Sequence, residues 1–257
     1  MNDLELEIMA LENAAEAANL SRFFKTGKGG YAEGDIFLGV KVPQTRSLVR
    51  RYWDSCTMDD LERMIVSEYH EIRLGALLVL LQKYKHAKND SAKQDQYVSF
   101  YLAHTASINN WDLVDLSCYE LLGDWLLSRD RSVLYALAGK DRTLWENRIA
   151  IVTCMQFVRH GETSDCMSIA DLLLSHPNDL IHKAVGWLLR EVGKHDGDLL
   201  RCYLVRRIND MSRTTLRYAI EKFPESERKS ILAGTWQWPP QSDVQIASLA
   251  EKGESKH

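Results

Sequence analysis

The apolar residues of the chain recur at the spacing of an α-helix. One helical face, with the i, i+3, i+4, i+7 pattern, is formed by Leu74, Leu77, Leu78 and Leu81. Similar patterns occur in ENRIAIVTCMQFV, HKAVGWLLREV and TLRYAIEKF. Sustained alternation of apolar and polar residues is absent, and no proline lies between Pro43 and Pro177 to interrupt a helix. The pattern predicts an all-α fold.

Polar breaks divide this helical pattern into pairs of helices. The second helix of each pair is predicted to begin near Ile72, Trp111, Glu146, Ile181 and Ser212. These starts lie 39, 35, 35 and 31 residues apart, as in two-helix solenoid repeats of the TPR, HEAT and armadillo kind. Stacked pairs would make equivalent residues of successive repeats neighbours on a concave face. We expect one α-solenoid domain over residues 1–234, followed by a peripheral or partly disordered tail over residues 235–257.

The composition is that of a globular protein whose charge is unevenly distributed. The 257 residues are 45% hydrophobic and carry a formal net charge of −4, so no chain-wide positive field points to nucleic acid or to an anionic membrane. Residues 1–20 hold five acidic residues and no Lys or Arg, whereas residues 21–51 hold seven basic and two acidic ones. Residues 181–223 hold nine basic and five acidic ones. We therefore expect an acidic outer surface and a basic concave face.

Neither export nor membrane insertion is indicated by the sequence. The N-terminal residues are acidic, where a secretory signal would be basic. The longest wholly apolar run, residues 76–81, is far shorter than the ~20 residues of a membrane span. The five cysteines are odd in number and widely spaced, which is typical of buried thiols in a reducing compartment. We expect a soluble, cytoplasmic protein without a membrane partner.

Common catalytic motifs and metal-binding patterns do not occur in the sequence. It contains no HExxH, GxSxG or GxGxxG and no metal-ligand spacing, so neither a metal nor a cofactor is predicted. FVRHGET, residues 157–163, matches the start of the phosphohistidine signature of histidine phosphatases, but the strand, the chain position and the later Asn of that signature are missing. We expect a helix end here, with Gly161 in the C′ position.

Candidate chemistry lies in NNWDLVD, residues 109–115, at the start of the second helix of a middle repeat. Asp115 follows Asp112 by three residues and Trp111 by four, so all three lie near one helical face. Asn110 is the expected N-cap, and a role in stabilising the helix dipole is sufficient to explain Asp112. Asp115 lies deeper in the helix, so it either faces solvent or is held there for a function.

Later repeats add cationic and aromatic residues. Arg148 lies in the first turn of one helix, and Trp187 lies in the next repeat between Lys183 and Arg190. In a solenoid these residues would share the concave face with the NNWDLVD helix. Taken singly, Trp187 is equally well explained as a core residue, and its Lys and Arg neighbours as side chains that extend over apolar surface to solvent.

With these segments the chain resembles the AlkD-like family of bacterial DNA alkylation repair glycosylases. The resemblance runs from about Phe23 to Gly234 and is carried by FFKTGKGGYAEGDIFLGVKVPQTR, INNWDLVDLS, LWENRIAIV, DLIHKAVGWLLREVGK and TTLRYAIEKFPE. That family consists of α-solenoids of HEAT-like repeats that remove cationic N3- and N7-alkylated purines from duplex DNA. The lesion stays stacked there and is contacted through its backbone. The resemblance implies the same fold and activity here.

The resemblance also implies which residues carry the reaction. The catalytic carboxylate falls on Asp115, and the two tryptophans that cradle the DNA fall on Trp111 and Trp187. An N-alkylated purine is a good leaving group because it is already positively charged. One carboxylate that stabilises the oxocarbenium-like sugar and positions a water would then suffice.

Further residues are expected to bind the nucleic acid. The resemblance places a phosphate contact on Arg148, another DNA contact on Arg190, and an aromatic residue near the lesion on Tyr31. Lys41 is inferred to contact phosphate and Lys183 to contact the DNA, in both cases from their charge and position.

Three functions are compatible with these observations. The presence of Asp115 together with Trp111, Trp187 and Arg148 favours a monofunctional alkylpurine DNA glycosylase, acting as a monomer on double-stranded DNA. A catalytically silent DNA-binding solenoid that recognises distorted DNA would not need all four residues. A protein-interaction solenoid would suit the acidic net charge, but it predicts no DNA binding.

Overall fold

The computed structural model describes residues 1–239, which fold into α-helices joined by loops. Within these residues there is no β-strand, and the one strand-like feature is an isolated bridge between Ile36 and Tyr69. No helix in this part of the chain is long and apolar enough to cross a membrane. The all-α prediction is confirmed.

The described residues divide into two compact units, a first unit of residues 1–172 and a second unit that begins at residue 173. The helices up to the boundary are α1 (Asp3–Ala10), α2 (Ala14–Phe23), α3 (Val42–Tyr52), α4 (Met58–Ile65), α5 (His70–His86), α6 (Ser91–Ala103), α7 (Trp111–Asp115), α8 (Asp124–Leu126), α9 (Ser132–Leu137), α10 (Leu144–Thr153), α11 (Met155–Arg159) and α12 (Ser164–Leu173). The second unit continues with α13 (Asp179–His195), α14 (Gly197–Arg207), α15 (Arg213–Ala219) and α16 (Glu225–Ala233). The single-domain organisation over residues 1–234 stays a prediction.

Helices of the first unit pack mainly on their neighbours in sequence. The central helix, α5, contacts α3, α4, α6 and α7, and α10 contacts α7, α9 and α11. Because other helices surround it, α5 is apolar around much of its circumference, and its residues 70–81 are all buried. This packing fixes the position of α7, which bears the NNWDLVD segment.

The predicted starts of the second helices agree with the structure to within two residues. The observed starts are His70, Trp111, Leu144, Asp179 and Arg213. Four of them follow a polar N-cap whose side chain accepts a backbone N–H of the helix, namely Asn110, Thr143, Asn178 and Ser212. The polar breaks of the sequence therefore mark real helix beginnings.

Two of the helical patterns are interrupted. The apolar residues Leu113, Leu116, Cys118 and Leu121 follow helical spacing less strictly, but α7 ends at Asp115 and a π-helical segment, Tyr119–Gly123, follows. The Ser117 hydroxyl donates to the Leu113 carbonyl at 2.6 Å, a local bond that competes with regular helix geometry. ENRIAIVTCMQFV is likewise divided at Cys154 into α10 and α11.

The end of α11 confirms the interpretation of FVRHGET as a helix terminus. The helix ends at Arg159, and Gly161 has the left-handed φ of 81° that favours glycine. Its N–H donates to the Val158 carbonyl, and the N–H of Glu162 donates to the Phe157 carbonyl. These are the bonds of a helix C-terminus closed by glycine.

In the second unit, α13 packs closely on α15. A Cβ at Gly186 would lie 2.5 Å from the Cβ of Tyr218, so only glycine allows this approach.

Of the predicted tail, residues 240–257 lie outside the described residues. Trp238, before that segment, packs with its ring 4.8 Å from the Arg201 guanidinium.

The cysteines are all free thiols. Four are buried: Cys56, Cys118, Cys154 and Cys166. The prediction that all five are buried is wrong for Cys202, which is exposed. The buried face of α14 is formed by Leu200, Tyr203 and Leu204, so Cys202 lies on the opposite side of the helix.

Candidate active site

Trp111 and Asp115 lie on the wall of a cavity of about 470 Å³ in the first unit. The remaining wall comes from α2 and the loop after it, the start of α3, and α5, with residues such as Phe23, Phe24, Phe37, Pro43 and Leu74. The Asn110 side chain accepts the N–H of Trp111 at 2.9 Å, as the predicted N-cap. A helix of only five residues thus presents an aromatic ring and a carboxylate to one apolar cavity.

The Asp115 carboxylate is held by two parallel hydrogen bonds from Arg148. Arg148 Nε donates to Oδ1 at 2.9 Å, and Nη2 donates to Oδ2 at 2.8 Å. The Asp115 side chain is 17% exposed and the Arg148 side chain is 7% exposed. Burial raises the pKa of the Asp115 carboxyl above its ordinary value, although Arg148 opposes that rise. Of the two possibilities for Asp115, the structure shows a held carboxylate rather than a solvent-facing one.

The Trp111 ring is fixed by aromatic neighbours and one hydrogen bond. Its indole Nε1–H donates to the Tyr31 hydroxyl at 3.1 Å. Phe24 stacks on the ring with centroids 5.2 Å apart, and Phe23, itself 63% exposed, meets it edge-on at 6.1 Å. Tyr31 also packs edge-on against Trp145. The structure thus brings Tyr31, which lies in the glycine-rich segment of residues 26–35, to Trp111.

Beneath Trp111 lies a chain of buried ionic groups that the sequence did not predict. His70 bonds through Nε2 to Asp112 at 2.8 Å and through Nδ1 to Asp35 at 2.9 Å. Arg73 Nη2 donates to Asp35 and, at 3.1 Å, to Asn109. Burial alone would lower the pKa of His70, but the two carboxylates raise it to about 9. Asp112 therefore binds an imidazolium, a role that the helix-dipole explanation did not include.

Glu71, the residue after His70, anchors the loop that leads into α3. Its carboxylate accepts the backbone N–H groups of Leu38, Gly39 and Val40 at 2.9, 2.9 and 3.1 Å. His70 and Glu71 do not belong to a metal-binding pattern in the sequence. The residues that they bind lie more than 30 residues away, so no local sequence signal could reveal these contacts. Together, His70 and Glu71 hold this loop against the cavity.

The other predicted DNA contacts are paired with carboxylates. Lys41 borders the cavity and lies 3.5 Å from Glu16. In the second unit, Lys183 pairs with Asp179, and Arg190 pairs with Glu191 and Glu221. Trp187 is half-buried in that unit. The structure brings Trp111, Asp115, Arg148, Tyr31 and Lys41 to one region of the first unit, while a common face with the second-unit residues stays a prediction.

This arrangement suits a flat organic cation near its aromatic wall. Rings offer π faces to a positive charge, and the Asp115 carboxylate offers the opposite charge in a largely apolar setting. Within residues 1–239, no group of three His, Cys, Asp or Glu side chains is arranged to hold a metal ion.

The chain matches both a protein family and solved structures. The sequence model of the family described as DNA alkylation repair enzyme matches residues 4–223. Among solved structures, a predicted DNA alkylation repair enzyme from Enterococcus faecalis aligns with a TM-score of 0.66 at 17% identity, covering 83% of this chain and 97% of that one. No curated protein matches the sequence significantly. At this identity, the structural likeness shows a shared fold alone.

Proposed function

The chain belongs to the family of DNA alkylation repair enzymes, and from that premise we propose that it is a DNA glycosylase. The proposed reaction is hydrolysis of the N-glycosidic bond of cationic N3- and N7-alkylated purines in duplex DNA. The observation that carries the proposal is the Asp115 carboxylate, fixed by Arg148 on the wall of an aromatic cavity beside Trp111.

The proposed reaction requires little acid catalysis. The alkylated purine already bears a positive charge and departs with the electrons of the glycosidic bond. The deoxyribose becomes oxocarbenium-like, and a nearby carboxylate stabilises that charge. Asp115 would supply this carboxylate and orient the attacking water, whose oxygen bonds to the sugar carbon as its proton passes to the carboxylate.

The neighbours of Asp115 support this role. Arg148 fixes both carboxylate oxygens and favours the ionised form, which the apolar surroundings disfavour. Trp111, oriented by Tyr31, would place its π face against the cationic lesion or the sugar, a contact typically worth about 0.5–2 kcal/mol. Asp115 and Trp111 would thus favour positive charge at the reacting centre, and Arg148 would keep the carboxylate ionised.

The remaining predicted residues would hold the DNA. Trp187, Arg190 and Lys183 of the second unit, with Lys41 of the first, are proposed as contacts to the backbone. Their present carboxylate partners would be exchanged for phosphates. We propose that the protein acts as a monomer without a cofactor.

The decisive test is release of N7-methylguanine or N3-methyladenine from methylated duplex DNA. Asp115→Asn removes the charge but keeps the shape of the side chain, so we expect a rate loss of about 100-fold or more. Asp141→Asn, an exposed change after α9, serves as the matched control and should retain the wild-type rate. DNA binding by Asp115→Asn, measured in parallel, shows that the variant is folded.

Failure of this test would identify the alternative. A wild-type protein that binds DNA but frees no base above the spontaneous rate would be a catalytically silent DNA-binding protein. One that binds no DNA at all would fit a protein-interaction scaffold. Equal rates for wild type and Asp115→Asn would rule out the mechanism while leaving the activity in place.

A further inference from the structure

Helix α3 carries a row of exposed arginines without acidic partners. Arg46, Arg50 and Arg51 are exposed, and none of them pairs with a carboxylate within residues 1–239. No acidic residue occurs in the sequence between Asp35 and Asp54. The cations that the sequence assigned to DNA binding are, in contrast, each paired with a carboxylate of the protein.

The row begins at the candidate active site. Lys41 and Pro43, at the start of α3, line the cavity that contains Asp115. Arg46 and Arg50 follow Pro43 at i+3 and i+7, on the same stripe of the helix. Their separation along the axis is about 6 Å, since a helix rises about 1.5 Å per residue. That is close to the rise of two nucleotides along one strand of duplex DNA.

Aromatic rings and cations at the C-terminal end of α3 extend this surface. Trp53, which follows the helix, stacks on His86 with centroids 4.1 Å apart, and the Lys83 ammonium lies 5.8 Å from the Trp53 ring. Arg51 lies over the ring of Tyr52. The exposed side of α3 therefore carries cations from Arg46 to Arg51, and aromatic rings follow at its C-terminal end.

The protein itself gains little from this arrangement. Like charges at i and i+4, as in Arg46 and Arg50, destabilise a helix. The helix dipole accounts for cations in the last turn, Arg50 and Arg51, but not for Arg46 in the middle. A row of repelling charges that leads from a cavity points to a polyanion bound outside the protein.

We propose that α3 binds the backbone phosphates of the DNA strand that leads away from the lesion, with Arg46, Arg50 and Arg51 as the contacts. The proposal rests on the proposed function for its ligand. It assigns to the first unit a phosphate-binding surface separate from Arg148.

The test compares two variants of equal charge. In the first, Arg46→Gln, Arg50→Gln and Arg51→Gln are combined, since Gln is a good helix former. In the control, Lys88→Gln, Lys93→Gln and Lys140→Gln are combined, which are exposed positions of the first unit outside α3. Binding to undamaged duplex DNA is measured over a range of salt concentrations, together with release of N7-methylguanine and binding to vesicles of equal parts phosphatidylcholine and phosphatidylglycerol.

The expected result is a weaker salt dependence for the α3 variant alone. Each lost phosphate contact lowers the slope of log K against log salt by about 0.9, so the slope should fall by about 2 to 3. A variant that combines Arg46→Lys, Arg50→Lys and Arg51→Lys keeps the three charges and should have the wild-type slope. A slope equal to that of the control would overturn the proposal, as would a loss confined to vesicle binding. A lowered slope in a protein that releases no base would uphold the α3 surface and refute the glycosylase.

Discussion

Arg148 bonds through two nitrogens to Asp115, although the resemblance of the sequence placed it on a phosphate. The two roles have different consequences. A guanidinium that supports the carboxylate lowers the pKa of Asp115 and acts on the chemical step. One that contacts phosphate acts on DNA affinity and on its dependence on salt.

Arg148→Gln separates these roles. Without the guanidinium, burial raises the pKa of Asp115 further, and the proposed mechanism requires the ionised carboxylate. We therefore expect the acid limb of the pH profile of kcat/KM to move to higher pH. Arg142→Gln, an exposed neighbour on the approach to α10, should leave the limb in place. If the acid limb stays in place and the slope of log K for DNA binding against log salt falls by about 1, Arg148 contacts phosphate alone.

His70 joins two carboxylates that lie 77 residues apart in the chain, Asp35 and Asp112. Burial acts to raise the pKa of Asp35, but the bonds from His70 and Arg73 outweigh it and lower that pKa. The imidazolium thus connects the loop after α2 to the helix that carries Trp111 and Asp115. The geometry of the site therefore depends on the charge of His70, a residue that belongs to no catalytic motif in the sequence.

The charge of His70 makes stability depend on pH. Its pKa rises from 6.5 to about 9 on folding, so its contribution is fully present below pH 6.5 and is lost as the pH rises through 9. The contribution is on the order of 3 kcal/mol. His70→Gln should lower the free energy of unfolding by about that amount at pH 6, and the difference should shrink between pH 6.5 and pH 9. Urea unfolding across this range measures it.

His160→Gln is the matched control for this experiment. His160 is exposed and follows α11, so its removal should leave the stability within about 0.5 kcal/mol of wild type. A wild-type protein whose stability advantage over His70→Gln stays constant from pH 6 to 10 would contradict the charged state of His70.

At the scale of elements, the loop before α3 determines how closely α2 approaches the cavity. Gly39 has a φ of 85°, and a Cβ there would lie 2.2 Å from the Asn13 carbonyl oxygen and 2.7 Å from the Ala17 nitrogen. The Asn13 N–H donates to the Leu38 carbonyl at 2.8 Å. The loop and the start of α2 are therefore in direct backbone contact, without space for a side chain.

Gly39→Ala should be strongly destabilising. The left-handed conformation and the backbone collision together should cost about 3 kcal/mol or more in the free energy of unfolding. Gly27→Ala is the control, because nothing lies within 4 Å of a Cβ at that position, and we expect a change within about 0.5 kcal/mol. Equal midpoints of urea unfolding for the two variants would contradict this prediction and show that the loop rearranges to accommodate the added Cβ.

Helix starts were the best-predicted feature of the elements, because polar caps and apolar periodicity are local signals. Thr143 and Glu146 form a capping box at α10 that is visible in the sequence. Helix ends inside an apolar pattern were missed at Asp115 and Thr153, where the apolar residues continue across the break. Periodicity identifies the buried face but does not show where tertiary packing interrupts the helix.

At the scale of the whole molecule, the net charge of −4 conceals which cations are free to bind a partner. Counting residues predicted basic segments, but it could not separate paired from unpaired charges. Arg148 binds Asp115, 33 residues away in the sequence, and Arg131 binds Asp165, 34 residues away. Both separations are beyond any local pattern. The resemblance identified the family and predicted site roles for Trp111 and Asp115. The ionic chain of His70, Asp35 and Asp112 could be recognised only from the fold.

The placement of the thiols bears on how this protein would survive the agents that damage its substrate. Electrophiles that alkylate purines also attack thiolates. Cys56 and Cys118 are buried, and burial raises the pKa of the Cys56 thiol to about 11 and that of the Cys118 thiol higher still. Among the five thiols, Cys202 is the one exposed to solvent. Alkylation of cysteine by such agents would thus begin at Cys202, on the surface of α14, and spare the four buried thiols.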